Sequence, residues 1–218
     1  MRISEPAGAP APEPAPDCGR CRRLVEFRSA NRNAHPDWFN GAVRSFGPEN
    51  ARLLVVGLAP GLRGANRTGR PFTGDHAGEL LYSTLAGLGF ATGHYGADPA
   101  DGLALRGCMI TNAVRCVPPG NKPTGAEIAV CRAFLAARIA ALPRLQAILA
   151  LGRIAHDSVV RAMGLRLAAH PFAHGAVHIL GALTLHDSYH CSRYNTNTGR
   201  LTEEMFRAVF EDIRGRLG

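Results

Sequence analysis

No stretch of this 218-residue chain is long and apolar enough to span a bilayer. The opening MRISEPAGAPAPEPAP also lacks the apolar core of a secretory signal. The expectation is a cytoplasmic protein away from membranes, in a compartment where thiols stay reduced. No segment repeats another, which excludes solenoids and propellers. Two common phosphate signatures are absent as well, since neither Gly-x-Gly-x-x-Gly nor Gly-Lys-Ser/Thr occurs. Lysine is scarce, and nearly all the positive charge is arginine. Acidic residues are too few to balance it: 25 Lys and Arg face 17 Asp and Glu, for a net charge of +8. That surplus fits an anionic partner such as nucleic acid phosphate, and fits equally a basic composition imposed by GC-rich codons.

With 46% hydrophobic residues, the chain can bury one sizeable core. Residues 1–17 alternate Pro with Ala and Glu and read as a disordered tail, which leaves 18–218 as a single domain. Strand patterns occur at 52–57, 107–112, 146–152 and 177–185. Helical patterns occur at 75–88, 124–142, 154–163 and 202–216, with Thr124 and Glu127 forming a capping box. Alternating strands and helices predict an α/β fold, a mostly parallel sheet covered on both faces. Ligands bind such sheets beyond the carboxyl ends of the strands. The distinctive loops all follow strands, after Gly57, at Asn112 and from His186 to Arg200, so they are expected to meet at one edge.

Six cysteines are present. Cys18-x2-Cys21 and Cys116-x14-Cys131 can close four thiolates around one centre, for which an iron–sulfur cluster and zinc are the soft-ligand choices. Disulfides compete, but nothing marks export. Cys108 and Cys191 read as small buried residues. The nine histidines show no convincing metal-ligand spacing.

Gly57-Leu-Ala-Pro-Gly61 continues into Asn66-Arg-Thr-Gly-Arg-Pro-Phe72-Thr-Gly-Asp75-His-Ala-Gly78. Phe72 can stack on a planar ligand or serve the core. Asp75, near a helix start, can position water or simply cap the helix. His190-Cys-Ser-Arg-Tyr-Asn-Thr-Asn-Thr-Gly-Arg-Leu-Thr202 is a long polar stretch whose hydroxyls, amides and backbone N–H groups can hold phosphates.

Five features together resemble family 5 of the uracil-DNA glycosylases of bacteria and archaea. They are the Gly57–Gly61 turn, the Asn66–Gly78 loop, Thr111-Asn-Ala-Val-Arg-Cys116, the helix start Gly152-Arg-Ile-Ala155, and the His190–Thr202 segment. The resemblance covers residues 18–217. It implies a three-layer α/β/α sandwich around a four-stranded sheet. It also implies a structural [4Fe–4S] cluster on Cys18, Cys21, Cys116 and Cys131, with zinc as the minor alternative.

The implied reaction hydrolyses the N-glycosidic bond of uracil and other deaminated or damaged bases, hypoxanthine among them, in double-stranded DNA. The base is flipped out at a cost of a few kcal/mol and an abasic site remains. In this reading Gly57, Leu58, Ala59, Gly61, Phe72, Asn112 and His190 bind the base. His190 donates to a base carbonyl as negative charge grows there. Asp75 holds a water and offers negative charge to the sugar. Ser192, Arg193, Asn195, Arg200 and Leu201 meet DNA, and Leu201 or Tyr194 fills the vacated stack. The partner is then uracil-containing duplex DNA, met in the bacterial nucleoid by a monomer.

Two departures stand out. Leu58 and Ala59 occupy positions where other branches carry a water-handling carboxylate or amide, which shifts that duty to Asp75. Cys191 replaces a proline after the histidine and leaves the loop less stiff. The alternatives are a relative of the same fold that binds or covalently traps DNA without turnover, and an iron–sulfur or zinc protein with a structural or electron-transfer role.

Overall fold

The computed structural model describes residues 12–218. Its centre is a five-stranded sheet built from β1 (Leu53–Gly57), β4 (Cys108–Asn112), β5 (Ala147–Leu151), β6 (Val177–Leu180) and β7 (Leu183–Ser188), in the order β4-β1-β5-β7-β6. The first four in that order run parallel, and β6 is antiparallel to β7. The α/β/α class therefore holds, but the strand count of four is corrected to five. The apolar run at 177–185 is folded in two by a turn at Gly181, whose φ of 67° suits glycine. The short strands β2 (Ala91–Thr92) and β3 (Ala104–Leu105) pair separately.

Alternation along the strands assigns the two faces. Leu53, Val55, Cys108, Ile110, Ala147 and Leu149 pack with α3 (His76–Gly87) and α7 (Glu203–Leu217). Leu54, Val56, Met109, Ile148 and Ala150 pack on the other face with α4 (Gly125–Ala141) and α5 (Arg153–Ala162). Every residue of β1, β4 and β5 is buried, as in a parallel sheet covered on both sides. The capping box at Thr124 and Glu127 forms as expected.

Three short or polar elements escaped the periodicity reading: α1 (Arg22–Ala34), α2 (Ala65–Thr68) and α6 (Arg193–Asn197). Each has too few apolar positions or too little length to show a 3.6-residue stripe. The proline-rich stretch divides. Residues 1–11 lie outside the described residues, whereas residues 12–17 rest on the domain. There the Glu13 carboxylate joins Arg115 at 2.9 Å and Arg138 at 2.7 Å, and the Ala42 N–H donates to Pro16 O.

Candidate active site

The chain passes from β1 to β4 on one side and to β5 and β7 on the other, so a crevice opens where the strand order reverses. The register sets Gly57 beside Asn112 and Leu151 beside Ser188 at the carboxyl edge. A cavity of about 460 Å³ lies there. Leu58, Ala59, Gly61, Phe72, Asp75, Asn112, His190, Ser192 and Arg193 all line it. The three loops expected to converge do so.

Asp75 has two duties divided between its oxygens. It is the N-cap of α3, with Oδ1 accepting from the Gly78 N–H at 3.2 Å. Its Oδ2 lies against the glycine loop, where a Cβ on Gly64 would come within 2.4 Å and one on Gly61 within 3.1 Å. The carboxylate is thus enclosed by backbone that only glycine can bring so near. Burial raises its pKa above the ordinary carboxylate value, and the Gly78 and Ala77 N–H groups pull it back.

Phe72 is buried yet reaches the cavity wall, with a φ of 53° that is unusual for a bulky side chain. Its backbone is clamped. The Tyr95 hydroxyl donates to Phe72 O at 3.2 Å and the Tyr82 hydroxyl to Pro71 O at 2.6 Å. Gly78 passes so close to the Phe72 carbonyl that a Cβ there would lie 1.9 Å from its oxygen. Strain held in this way is what fixed ligand walls show. Gly57 does not line the cavity itself. Its missing side chain leaves room for Asn112 and Phe72, whose atoms lie 2.4 and 2.6 Å from the position a Cβ would take.

Two buried polar atoms here have no partner, Asn112 Oδ1 and His190 Nδ1. Orphaned groups of this kind are rare away from ligand sites. The His190 ring lies nearly parallel to Phe72, at 5.8 Å and 25°. Burial pushes its pKa down to about 4, so the imidazole is neutral near pH 7 and still carries one N–H donor. Its backbone is held on both sides. Asn195 Nδ2 donates to His190 O at 2.8 Å, and the Cys191 thiol donates to Ala77 O at 3.4 Å. Cysteine in place of proline therefore anchors this loop to α3.

The remaining DNA-facing expectations divide. Ser192 caps α6 by accepting from the Asn195 N–H, so Ser192 and Asn195 both serve the loop's own order. Arg193 is exposed at the cavity, and Arg200 is exposed with its guanidinium 4.5 Å over the Tyr189 ring. Leu201 is corrected. It is 1% exposed within the α3–α7 core, because the chain turns inward there to start α7. Tyr194, at 71% exposure, is the apolar tip of this loop.

Sequence reasoning left His76, Asn121, Gly152, Arg153 and Ile154 out of the site, yet all line the cavity. The last three open α5 directly after β5, which is the signal that finds them. Gly152 has a φ of 92° and no side-chain cap, so the first N–H groups of α5 face the site unmasked. The histidines also prove less scattered than their spacing suggested, for His156 and His178 meet around Asp187.

On the far side of α4, Cys18, Cys21, Cys116 and Cys131 line one small cavity, all as free thiols. Arg28 Nη1 donates to Cys116 Sγ and the Arg115 N–H to Cys131 Sγ, each at 3.3 Å. Burial raises the Cys116 thiol to about 11 and pushes Cys131 and Cys21 up, so thiolates here need a cation to form. Four thiols gathered in one cavity form a soft donor set, which fits a soft-metal centre.

A doubly wound sheet with a pocket at its switch point, lined by an amide, an aromatic ring and a histidine, defines the class, an α/β protein whose ligand site sits at the carboxyl edge of its sheet. The sequence model of the uracil DNA glycosylase superfamily matches residues 44–214, and the chain belongs to that superfamily. It is 44% identical over 208 residues to the type-5 uracil-DNA glycosylase of Thermus thermophilus, covering 92% of this chain and 94% of that one. It is 40% identical over 197 residues to the type-5 enzyme of Pyrobaculum aerophilum, covering 88% and 86%. A type-4 uracil-DNA glycosylase of Archaeoglobus fulgidus is 36% identical over 114 residues, about half of each chain.

Proposed function

We propose that this protein is a monofunctional uracil-DNA glycosylase of DNA repair that hydrolyses the N-glycosidic bond in duplex DNA and leaves an abasic site. The carrying observation is the pair of unpartnered buried atoms, Asn112 Oδ1 and His190 Nδ1, in a cavity walled by Phe72 and Asp75. A flipped pyrimidine offers an N–H to Asn112 and a carbonyl to His190, and stacks on Phe72. As the bond lengthens, the base gains negative charge. A neutral His190 that donates from a dry site stabilises that charge without losing its own proton. The free N–H groups opening α5 add a positive potential from the same side. Asp75 supplies the opposite charge to the sugar and orients a water through Oδ2, since Oδ1 is committed to Gly78.

The range extends to hypoxanthine and other deaminated bases. Leu58 and Ala59 are inert, which leaves the rate more dependent on the quality of the leaving base. Cys18, Cys21, Cys116 and Cys131 would hold a [4Fe–4S] cluster. Its contribution is to brace α1 and the segment after β4 against α4, and it takes no part in bond cleavage. The protein acts as a monomer.

The test is incubation of protein prepared under low oxygen with a labelled duplex carrying one G·U pair, followed by alkali. Strand scission at the uracil, lost in Asp75→Asn and His190→Ala, is expected. Tight binding without scission on G·U and on hypoxanthine duplexes would replace this reading with that of a DNA-binding or trapping relative.

A further inference from the structure

Two neighbouring walls of the cavity, the first turn of α5 and the segment leading out of β7, are joined by a buried contact that the reaction itself does not use. His156 directly follows the lining residues Gly152 to Ala155, and Asp187 precedes Ser188, Tyr189 and His190. His156 Nδ1 lies 2.7 Å from Asp187 Oδ1, and the two side chains are 1% and 0% exposed. His156 Nε2 lies 2.8 Å from the His170 carbonyl oxygen. With Asp187 ionised, its oxygen and the His170 carbonyl can only accept, so each hydrogen bond requires a proton on its nitrogen. Both ring nitrogens then carry hydrogen and the ring is cationic.

Charge balance leads to the same place. Asp187 has no Arg or Lys partner among the described residues, and its only ion partners are His156 and His178. A fully buried carboxylate without a cation is too costly to persist. His178 Nε2 meets the other oxygen at 3.2 Å, a contact a neutral ring also makes. The groups facing this pair are Asp157 on α5, His170 and Phe172 in the segment before β6, and His178 on β6. Burial alone pushes the His156 pKa down, but the Asp187 hydrogen bond and charge outweigh it, and the net direction is up. Nδ1, Nε2 and the carboxylate also stand close enough for three residues to share an ion. However, 2.7 Å is a hydrogen-bond separation, whereas ligands bound at about 2.0 Å to one ion stand more than 3 Å apart.

The Gly152 N–H also donates to Ser188 O at 2.8 Å, immediately beside this pair, so α5 and the His190 segment are pinned at two adjacent points. We propose that His156, as a doubly donating imidazolium against Asp187, is a positioning residue that locks α5 to the end of β7 and so sets His190 in the cavity. The proposal rests on the glycosylase reading for its functional consequence and on hydrogen-bond geometry and charge balance for the charge state. A histidine with a raised folded pKa contributes stability fully below its ordinary value of about 6.5 and loses it as pH rises through the folded pKa. Positioning of His190 should weaken over the same range.

The test uses the cluster-loaded, full-length protein. Nitrogen-15 NMR of the histidine rings is expected to show both His156 nitrogens protonated at pH 7. Single-turnover excision from a G·U duplex should fall on the alkaline side, with the midpoint of the His156 titration. The variant His156→Gln should excise about tenfold more slowly at pH 7, bind the duplex as before, and lack that alkaline limb. A neutral His156 ring at pH 7, or a Gln variant with wild-type rate and the same limb, overturns the proposal. So does stoichiometric cobalt binding that His178→Ala abolishes, which would make the trio a metal site. Should His156→Gln fail to fold, the wild-type midpoints decide, coincidence supporting the proposal and separation refuting it. If the wild type excises no base, the glycosylase reading falls, and the ring protonation still tests the ion pair.

Discussion

Gly57 and Asn112 sit directly opposite each other at the ends of β1 and β4, and a Cβ on Gly57 would lie 2.4 Å from Asn112 Oδ1. The same Cβ would lie 2.6 Å from Phe72 Cζ. One methyl group therefore pushes on both the amide proposed to read the base edge and the ring proposed to stack on it. Gly57→Ala is expected to cut single-turnover excision by about a hundredfold. The strand should survive, since Gly57 has an ordinary strand backbone. Retention of wild-type excision would show that the base does not bind against these two residues.

Asp75 can be split chemically. Asparagine keeps an oxygen for the Gly78 N–H but removes the charge. Asp75→Asn is expected to fold with at least wild-type stability, since the buried charge is removed, and to lose excision. Asp75→Ala should lose excision and also about 1 kcal/mol of stability, the usual cost of a missing N-cap. Thermal unfolding beside single-turnover kinetics separates the two effects.

The acid limb of the pH profile should belong to Asp75 rather than His190. Burial raises the Asp75 pKa, so excision should fall as pH drops through a value above that of a free aspartate. In stability the sign is opposite. A raised carboxylate costs stability when ionised, and that cost is relieved as pH falls through its folded pKa. His190, at about 4, stays neutral and leaves no limb near 6.5. An acid limb whose midpoint matches a His190 ring titration followed by NMR would reassign it to the histidine.

Loss of the proposed metal centre should be felt locally. Removing iron by chelation, or substituting Cys131→Ala, is expected to raise hydrogen exchange in α1 and around Cys116 while β1, β5 and β7 keep their protection. Iron and sulfide assays should give a four-to-four composition per chain. A zinc content of one, with no iron, would favour the minor alternative.

Tyr194 and Leu201 should behave as opposites. Tyr194→Ala is expected to slow excision from a duplex far more than from single-stranded DNA, because only the duplex leaves a gap to fill. Leu201→Ala should cost about 2–5 kcal/mol of stability, as for a core leucine. Calorimetry and paired excision assays on the two substrates check both.

Much of this molecule is legible along the chain because its signals are local. A run such as Leu53–Gly57 is apolar on both faces of the pleat, and Thr124 with Glu127 makes a cap from residues one turn apart, so strands, helices and their alternation follow from neighbours in sequence. Glycines marked the tight loop after β1 for the same reason. The relations that make a site are long-range, and packing settled them. Leu201 and Tyr194 lie seven positions apart in one polar loop, and only the docking of α7 sends the first into the core and leaves the second in solvent. The apolar run at 177–185 became two strands because a glycine turn let β6 pair back on β7 and cover that edge of the sheet. His156 and Asp187 are 31 residues apart, with nothing in their spacing to join them. Packing brings them together, because a carboxylate taken out of water needs a hydrogen-bond or charge partner, and α5 sets the His156 ring against it.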